Sequence, residues 1–262
     1  MIVLDDAPDG RLLVRQPDHA LSSAQIARSW RRPEEIGATM WVRFLDAVRC
    51  HDDGWRDIER DPILDAAGRP HDFKSIPTAK HVEVWQCGIK LAKRRDPYTA
   101  LLVALHARWL YTHVEQDCVE DTRLAQVFVD CVTQSIDHLI KLIESGGDER
   151  SVVTPSNLSM GRRLMGFFDA ISLAMLGVVP WIEQTEPLAF AHEHTVLQLN
   201  TKIISAGEQQ VSIRPWPFES DRLEVTTIGV RLARAKFDNA QQVSALIECA
   251  DPVRLRWDLV PA

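Results

Sequence analysis

At 262 residues with a formal net charge of −7, the chain is long enough to bury a large core and too acidic for broad binding to nucleic acid or an anionic membrane. Its 45% hydrophobic and 26% charged residues are ordinary for a soluble globular protein. No apolar run approaches the roughly 20 residues of a membrane span. The start, MIVLDDAPDG, lacks the basic and apolar regions of a signal peptide, and the five cysteines are scattered without a CxxC pair. Reduced thiols and a cytoplasmic location are therefore expected.

Residues 1–16 read as a hairpin: Ile2-Val3-Leu4, a turn at Ala7-Pro8-Asp9-Gly10, and Leu12-Leu13-Val14. His19 to Trp30 has helical character, with His19, Ser23, Ile26 and Trp30 on one face. Pro33-Glu34-Glu35 predicts a helix start. Ile36, Met40, Phe44 and Val48 then form an apolar stripe that His51 continues inward, and Gly54 ends the run. Residues 54–78 predict an ordered loop or short helical turns, long enough to cover a site.

Thr78 is expected to cap a helix over about 79–94, with His81, Trp85, Gly88 and Ala92 on one face. Asp96-Pro97 predicts the start of another, running to about Gln116, with Leu102, His106, Trp109 and His113 in a stripe. A helix from about 121 to 144 ends at Ser145-Gly146-Gly147, and a polar connector over 146–156 follows. The next helix spans about 157–178 and aligns Met165, Asp169, Ser172 and Leu176. After Pro187 the pattern turns to strands, at 195–199, 211–214, 223–232 and 253–259, with a rigid corner at Pro215-Trp216-Pro217-Phe218. Residues 239–249 fit a helix or a strand. The fold expected is mainly α: a helical domain over 17–189, between the hairpin at 1–16 and a small β-rich module at 190–262 whose sheet the hairpin could join. That module could serve dimerisation or close a pocket.

The chemistry centres on Arg49-Cys50-His51-Asp52-Asp53-Gly54-Trp55. An adjacent His-Asp pair can put two ligands on one cation. His19, His81, His106 and Asp169 fall on other predicted helices, each on an apolar stripe, where charged groups rarely sit unless paired or coordinated. Asp169 stands out within Gly166-Phe167-Phe168-Asp169-Ala170-Ile171. Imidazole nitrogen and carboxylate oxygen suit divalent transition metals: iron first, with Mn, Ni or Zn also accommodated. Around a single ion, His81 and His106 could instead bind substrate. Cys50 is expected to be a small buried residue.

This order of residues resembles the HD-domain superfamily, an all-helical fold whose ligands are a histidine, a His-Asp pair and a late aspartate. The resemblance covers roughly residues 15–180 and implies that His19, His51, Asp52 and Asp169 hold one ion. It further implies that Asp52 bridges to a second ion held by His81 and His106. Many HD proteins carry a His-Asp-x-Gly-Lys pattern; here Trp55 stands at the lysine's place, leaving Arg56, Lys80, Arg162 or Arg163 to take its role. The doubled histidine of many two-metal phosphodiesterases is absent, since Leu105 precedes His106, as in the superfamily's di-iron oxygenases. More narrowly, Gln16-Pro17-Asp18-His19-Ala20, His51-Asp52-Asp53-Gly54-Trp55, Gly88-Ile89, Asp96-Pro97-Tyr98 and Pro215-Trp216-Pro217-Phe218 resemble a bacterial family catalogued as a domain of unknown function.

The function expected is a metal-dependent hydrolase of a phosphoester, with one or two ions and a metal-activated water. Asp53 is a candidate general base, and Trp55, Lys80, His113 and Arg163 are candidate substrate contacts. The alternatives are a mixed-valent di-iron oxygenase and a non-catalytic metal-binding regulator. The expected partner is a small molecule that could be phosphorylated, not nucleic acid or a membrane, and the chain could pair as a homodimer. His71, His138, His192 and His194 are expected to be structural or on the surface.

Overall fold

A computed structural model describes residues 1–7, 10–34, 36–113, 118–146, 150–179, 188–190, 193–195, 198–205 and 208–262. Pro8-Asp9, Glu35, Gln116, Gly147 and His192, all used in the sequence reading, lie outside them. The described chain is mainly helical, with a mixed sheet beside the helices. Its helices are α1 (Gln16–Ser29), α2 (Ala38–Cys50), α3 (Arg56–Arg60), α4 (Thr78–Arg95), α5 (Pro97–His113), α6 (Val119–Ser145), α7 (Pro155–Met175) and α8 (Ala240–Cys249). The strands are β1 (Ile2–Ala7), β2 (Gly10–Val14), β3 (Leu188–Phe190), β4 (Glu193–Thr195), β5 (Gln198–Ser205), β6 (Glu208–Arg214), β7 (Leu223–Leu232) and β8 (Pro252–Pro261). None of the described helices is long and apolar enough to cross a membrane.

Six strands form one sheet in the order β1-β2-β7-β8-β6-β5, and β3 pairs with β4 separately. The N-terminal hairpin does join the C-terminal strands: Leu12 pairs with Arg231 and Val14 with Gly229. β6 and β8 run parallel; the sheet's other pairs are antiparallel. Strand alternation sends Leu12, Val14, Val225 and Trp257 into the core shared with the helices. Leu13 and Leu232 point the other way, under Val243 and Ile247 of α8. The ambiguous 239–249 stretch is a helix because Asn239 caps it, accepting from Gln242 N at 3.0 Å, and its apolar residues four apart cover that second face.

α2 begins at Ala38, later than Pro33-Glu34 predicts. Ile36 N donates to Pro33 O in a turn, and Ile36 enters the core from that turn rather than from a helix. Thr78 is the first residue of α4 rather than its cap; Pro77 occupies the cap position without a side-chain bond. α5 is described to His113.

α1 is fixed on two sides. Gln25 reads the backbone of β7 twice, donating to Thr226 O at 2.8 Å and accepting from Thr226 N at 2.9 Å. Trp30, after the helix end, packs edge-on against Phe167, Phe168 and Phe218 at 5.2–5.6 Å. Phe218 belongs to the proline corner, and Pro217 O accepts from Arg31 N. The sheet and α7 thus hold the helix that carries His19.

The turn after α2 is seated differently. A Cβ on Gly54 would collide with the carbonyl oxygen of Val84 and come within 2.7 Å of Gly88 N. A Cβ on Gly88 would meet Gly54 N at 3.5 Å, an ordinary contact. Gly54 therefore has no alternative where His51-Asp52 is pressed against α4. Gly54→Ala is expected to cost at least about 1–3 kcal/mol in urea unfolding, while Gly88→Ala costs much less. Equal losses would show that the close approach lies elsewhere.

Candidate metal centre

His19 comes from the first turn of α1, His51 and Asp52 from the end of α2, His106 from the middle of α5, and Asp169 from α7. The three histidines and Asp52 are buried, and Asp169 is partly open to a cavity. Donor atoms of His19, His51 and Asp169 all lie within 4.8 Å of one another. Asp52 Oδ2 adds contacts of 3.6 Å to His19 Nε2 and 3.4 Å to His51 Nε2.

Two ring tautomers follow from the partners of their Nδ1 atoms. Val48 O lies 2.7 Å from His51 Nδ1, so that nitrogen carries a hydrogen, and in the neutral ring Nε2 is bare. Ser172 Oγ gives its hydrogen to Asp169 O at 2.8 Å, so the 2.6 Å contact to His19 Nδ1 has the histidine donating. Ser23 Oγ sits 2.8 Å from Ser172 Oγ and steadies it. His19 Nε2 is then bare as well and faces Asp169 Oδ1 at 2.8 Å. Two acceptors hold that distance only with a proton or a cation between them.

His51 Nε2 lies 3.4 Å from Asp169 Oδ1 without an aligned hydrogen bond. His106 behaves alike: Nε2 is 3.2 Å from Asp169 Oδ2, yet among the described residues neither ring nitrogen has a hydrogen-bond partner. Unpartnered buried nitrogens are costly. Donors held about 2.1 Å from a shared ion lie roughly 3 Å apart and need no mutual alignment. The residues present therefore fit a metal ion.

The charges agree with that fit. Burial pushes the carboxyl of Asp52 up. Burial acts on Asp169 in the same sense, but the imidazoles of His106, His19 and His51 crowded around it override it and hold that carboxyl well below the usual range. Burial disfavours charge on His51, yet Asp52 and Asp169 together lift its pKa to about 10. Positive charge is demanded here, as protons or as a cation.

A cavity of about 700 Å³ opens onto Asp52 and Asp169. Its wall includes Trp55, Phe73 to Pro77 of the long loop, and Thr78 and Ala79 at the start of α4. His81 lines the cavity too but stands outside the ligand cluster: Trp85 Nε1–H donates to its Nε2 at 3.2 Å, and Tyr111 Oη meets its Nδ1 at 2.9 Å.

Four expected contacts lie elsewhere. Asp53 is buried between Arg56, at 2.7 Å, and Arg95, at 3.0 Å, and its carboxylate is tied up in that clamp instead of serving as a base. Lys80 is exposed and pairs with Glu83 at 2.7 Å. His113 is exposed, stacked on Trp109 and bonded to its carbonyl at 2.9 Å. Arg163 sits on α7, half-buried and away from the cavity lining. Cys50 is buried, and burial pushes its thiol up to about 12, which makes it unreactive.

Sequence reasoning missed Ser23 and Ser172 as holders of His19, and Gln16, Lys74 and Tyr111 as cavity residues. The serines left a signal: each is a hydroxyl on an apolar stripe, one helical turn from a ligand. Gln16 lines the cavity with its Oε1 buried and unpartnered. Ser172→Ala is expected to weaken metal binding about 10- to 100-fold in a competition titration while the chain stays folded. Unchanged affinity would mean that the serine does not set the His19 tautomer.

No curated protein and no solved structure matches the chain significantly. A family model described as "Protein of unknown function (DUF3891)" matches residues 1–234 and so takes in the hairpin, every candidate ligand and the proline corner. The chain belongs to that family.

Proposed function

We propose that the chain is a metal-dependent hydrolase of small phosphoesters, built on one divalent transition-metal ion held by His19, His51, Asp52 and Asp169. The observation that carries this is the pair of buried Nε2 lone pairs, His19 and His51, fixed by Ser172 and Val48 to face the same carboxylates. The likeness of these residues to the ligand set of the HD-domain superfamily supports the same reading. The bound ion supplies Lewis acidity: it lowers the pKa of a coordinated water and stabilises charge on phosphoryl oxygens.

The protein's own groups divide the remaining work. Asp52 and Asp169 neutralise the ion and are the only ligands that border the cavity. His106 Nε2, unpartnered and beside Asp169 Oδ2, is the group to take up the water's proton, the role that Asp53 cannot fill. Trp55, at the place of the lysine found in many HD proteins, walls the site with an apolar ring instead of a charge. A dinuclear centre requires His81 as a ligand, and its nitrogens are engaged by Trp85 and Tyr111; this favours one ion over two and hydrolysis over di-iron oxygenation.

The test is reconstitution of metal-free protein with Fe, Mn, Ni or Zn, followed by assay on p-nitrophenyl phosphate and nucleoside monophosphates. Phosphate release is expected to need the ion and to fall at least about 100-fold in His51→Ala and Asp52→Ala, comparable to removing a catalytic electrostatic group. Oxygen uptake by an iron-loaded protein with a coupled mixed-valent signal would instead establish the oxygenase. Retention of metal and activity in both variants would sink the metal-enzyme reading altogether.

A further inference from the structure

Trp85, His81 and Tyr111 form a hydrogen-bonded chain along the cavity wall that the metal centre leaves unused. The indole Nε1–H of Trp85 can only donate, and it points at His81 Nε2, 3.2 Å away. That nitrogen is therefore the bare one. Burial keeps the ring neutral, drawing its pKa down to about 4, so its single hydrogen is on Nδ1. Nδ1–H in turn meets Tyr111 Oη at 2.9 Å, with the two rings stacked at 5.5 Å. The tyrosine oxygen is the acceptor in that bond, and its own hydrogen remains to be placed. Among the described residues no acceptor takes it, and Tyr111 lines the cavity.

The surroundings narrow what that hydrogen meets. Trp55, Trp85 and Phe73 give the cavity flat apolar walls. Lys74, also in the lining, holds its ammonium 5.7 Å from the Phe73 ring and 2.9 Å from Val178 O, so positive charge stands at the exposed rim. A volume of about 700 Å³ suits a compact small molecule.

We propose that the Trp85–His81 pair aims the Tyr111 hydroxyl hydrogen into the cavity as a fixed donor to an anionic oxygen of an aromatic phosphoester. Tyr111 touches the substrate; His81 and Trp85 are positioning residues. The substrate class rests on the hydrolase reading, whereas the direction of the donor rests on the hydrogen-bond chain alone.

Phenylphosphonate is the probe, because its carbon–phosphorus bond is not open to a phosphoesterase. It is titrated calorimetrically into the manganese-loaded full chain. Wild type is expected to bind. Tyr111→Phe, which keeps the packing on Phe128, is expected to bind at least about tenfold more weakly at unchanged melting temperature. Trp85→Phe leaves Tyr111 in place but removes the group that fixes the tautomer, and a smaller weakening is expected. The ¹⁵N spectrum of wild type is expected to show His81 protonated on Nδ1. The proposal is overturned if wild type fails to bind the probe, if Tyr111→Phe binds it equally well, or if His81 carries its hydrogen on Nε2. Turnover of p-nitrophenyl phosphate judges the hydrolase reading separately. No turnover with any ion, together with a tenfold Tyr111 effect, overturns that reading and supports the donor.

Discussion

Two carboxylates and three imidazoles are buried together where α1, α2, α5 and α7 meet, and the rest of the structure makes that burial tolerable. Taking Asp52 and Asp169 out of water is expensive unless positive charge accompanies them. Ser172 and Val48 each take a ring hydrogen and leave bare nitrogens facing the acids. An arrangement optimised as an internal salt bridge would align N–H with O. Here His51 and His106 lie close to Asp169 but off axis. For His51 that misalignment fits a nitrogen aimed at a cation shared with Asp169, as proposed above.

The scaffold is organised to keep those ligands in register. α1 is bolted to β7 through Gln25 and to α7 through Trp30, so the sheet contributes to the site by holding the helix that carries His19. The turn carrying Asp52 is pressed onto α4 at Gly54 and Gly88, and Asp53 pins it further through Arg56 and Arg95. Asp53 sits beside a ligand for a structural reason: it anchors the turn that aims its neighbour.

Much of this was legible in the sequence, and the reasons differ by residue. Asp169 was readable because a carboxylate within Phe167-Phe168-Asp169-Ala170-Ile171 has few reasons to be there. His51 was readable because it extends the Phe44–Val48 stripe, and His19, His51, Asp52, His106 and Asp169 come together in space. His81 has the same stripe signature but turns to Trp85 and Tyr111, since periodicity gives the face of a helix and not the direction of a ring nitrogen. Lys80 and Arg163 were candidates as cations to replace the lysine missing at Trp55, and His113 as the next residue on the His106 stripe. Long polar side chains settle wherever solvent or an acid is nearest, as Lys80 does with Glu83. The hairpin's place in the sheet rests on long-range pairing, which the local alternation of Leu12 to Val14 permits without specifying.

The most direct measurement is a crystal structure of metal-loaded protein with anomalous scattering recorded at the edge of the added ion. One ion is expected within about 2.0–2.3 Å of His19 Nε2, His51 Nε2 and the carboxylates of Asp52 and Asp169, with His81 still bonded to Trp85 and Tyr111. An ion bound elsewhere, or a pair of ions that draws His81 away from those partners, would contradict that arrangement.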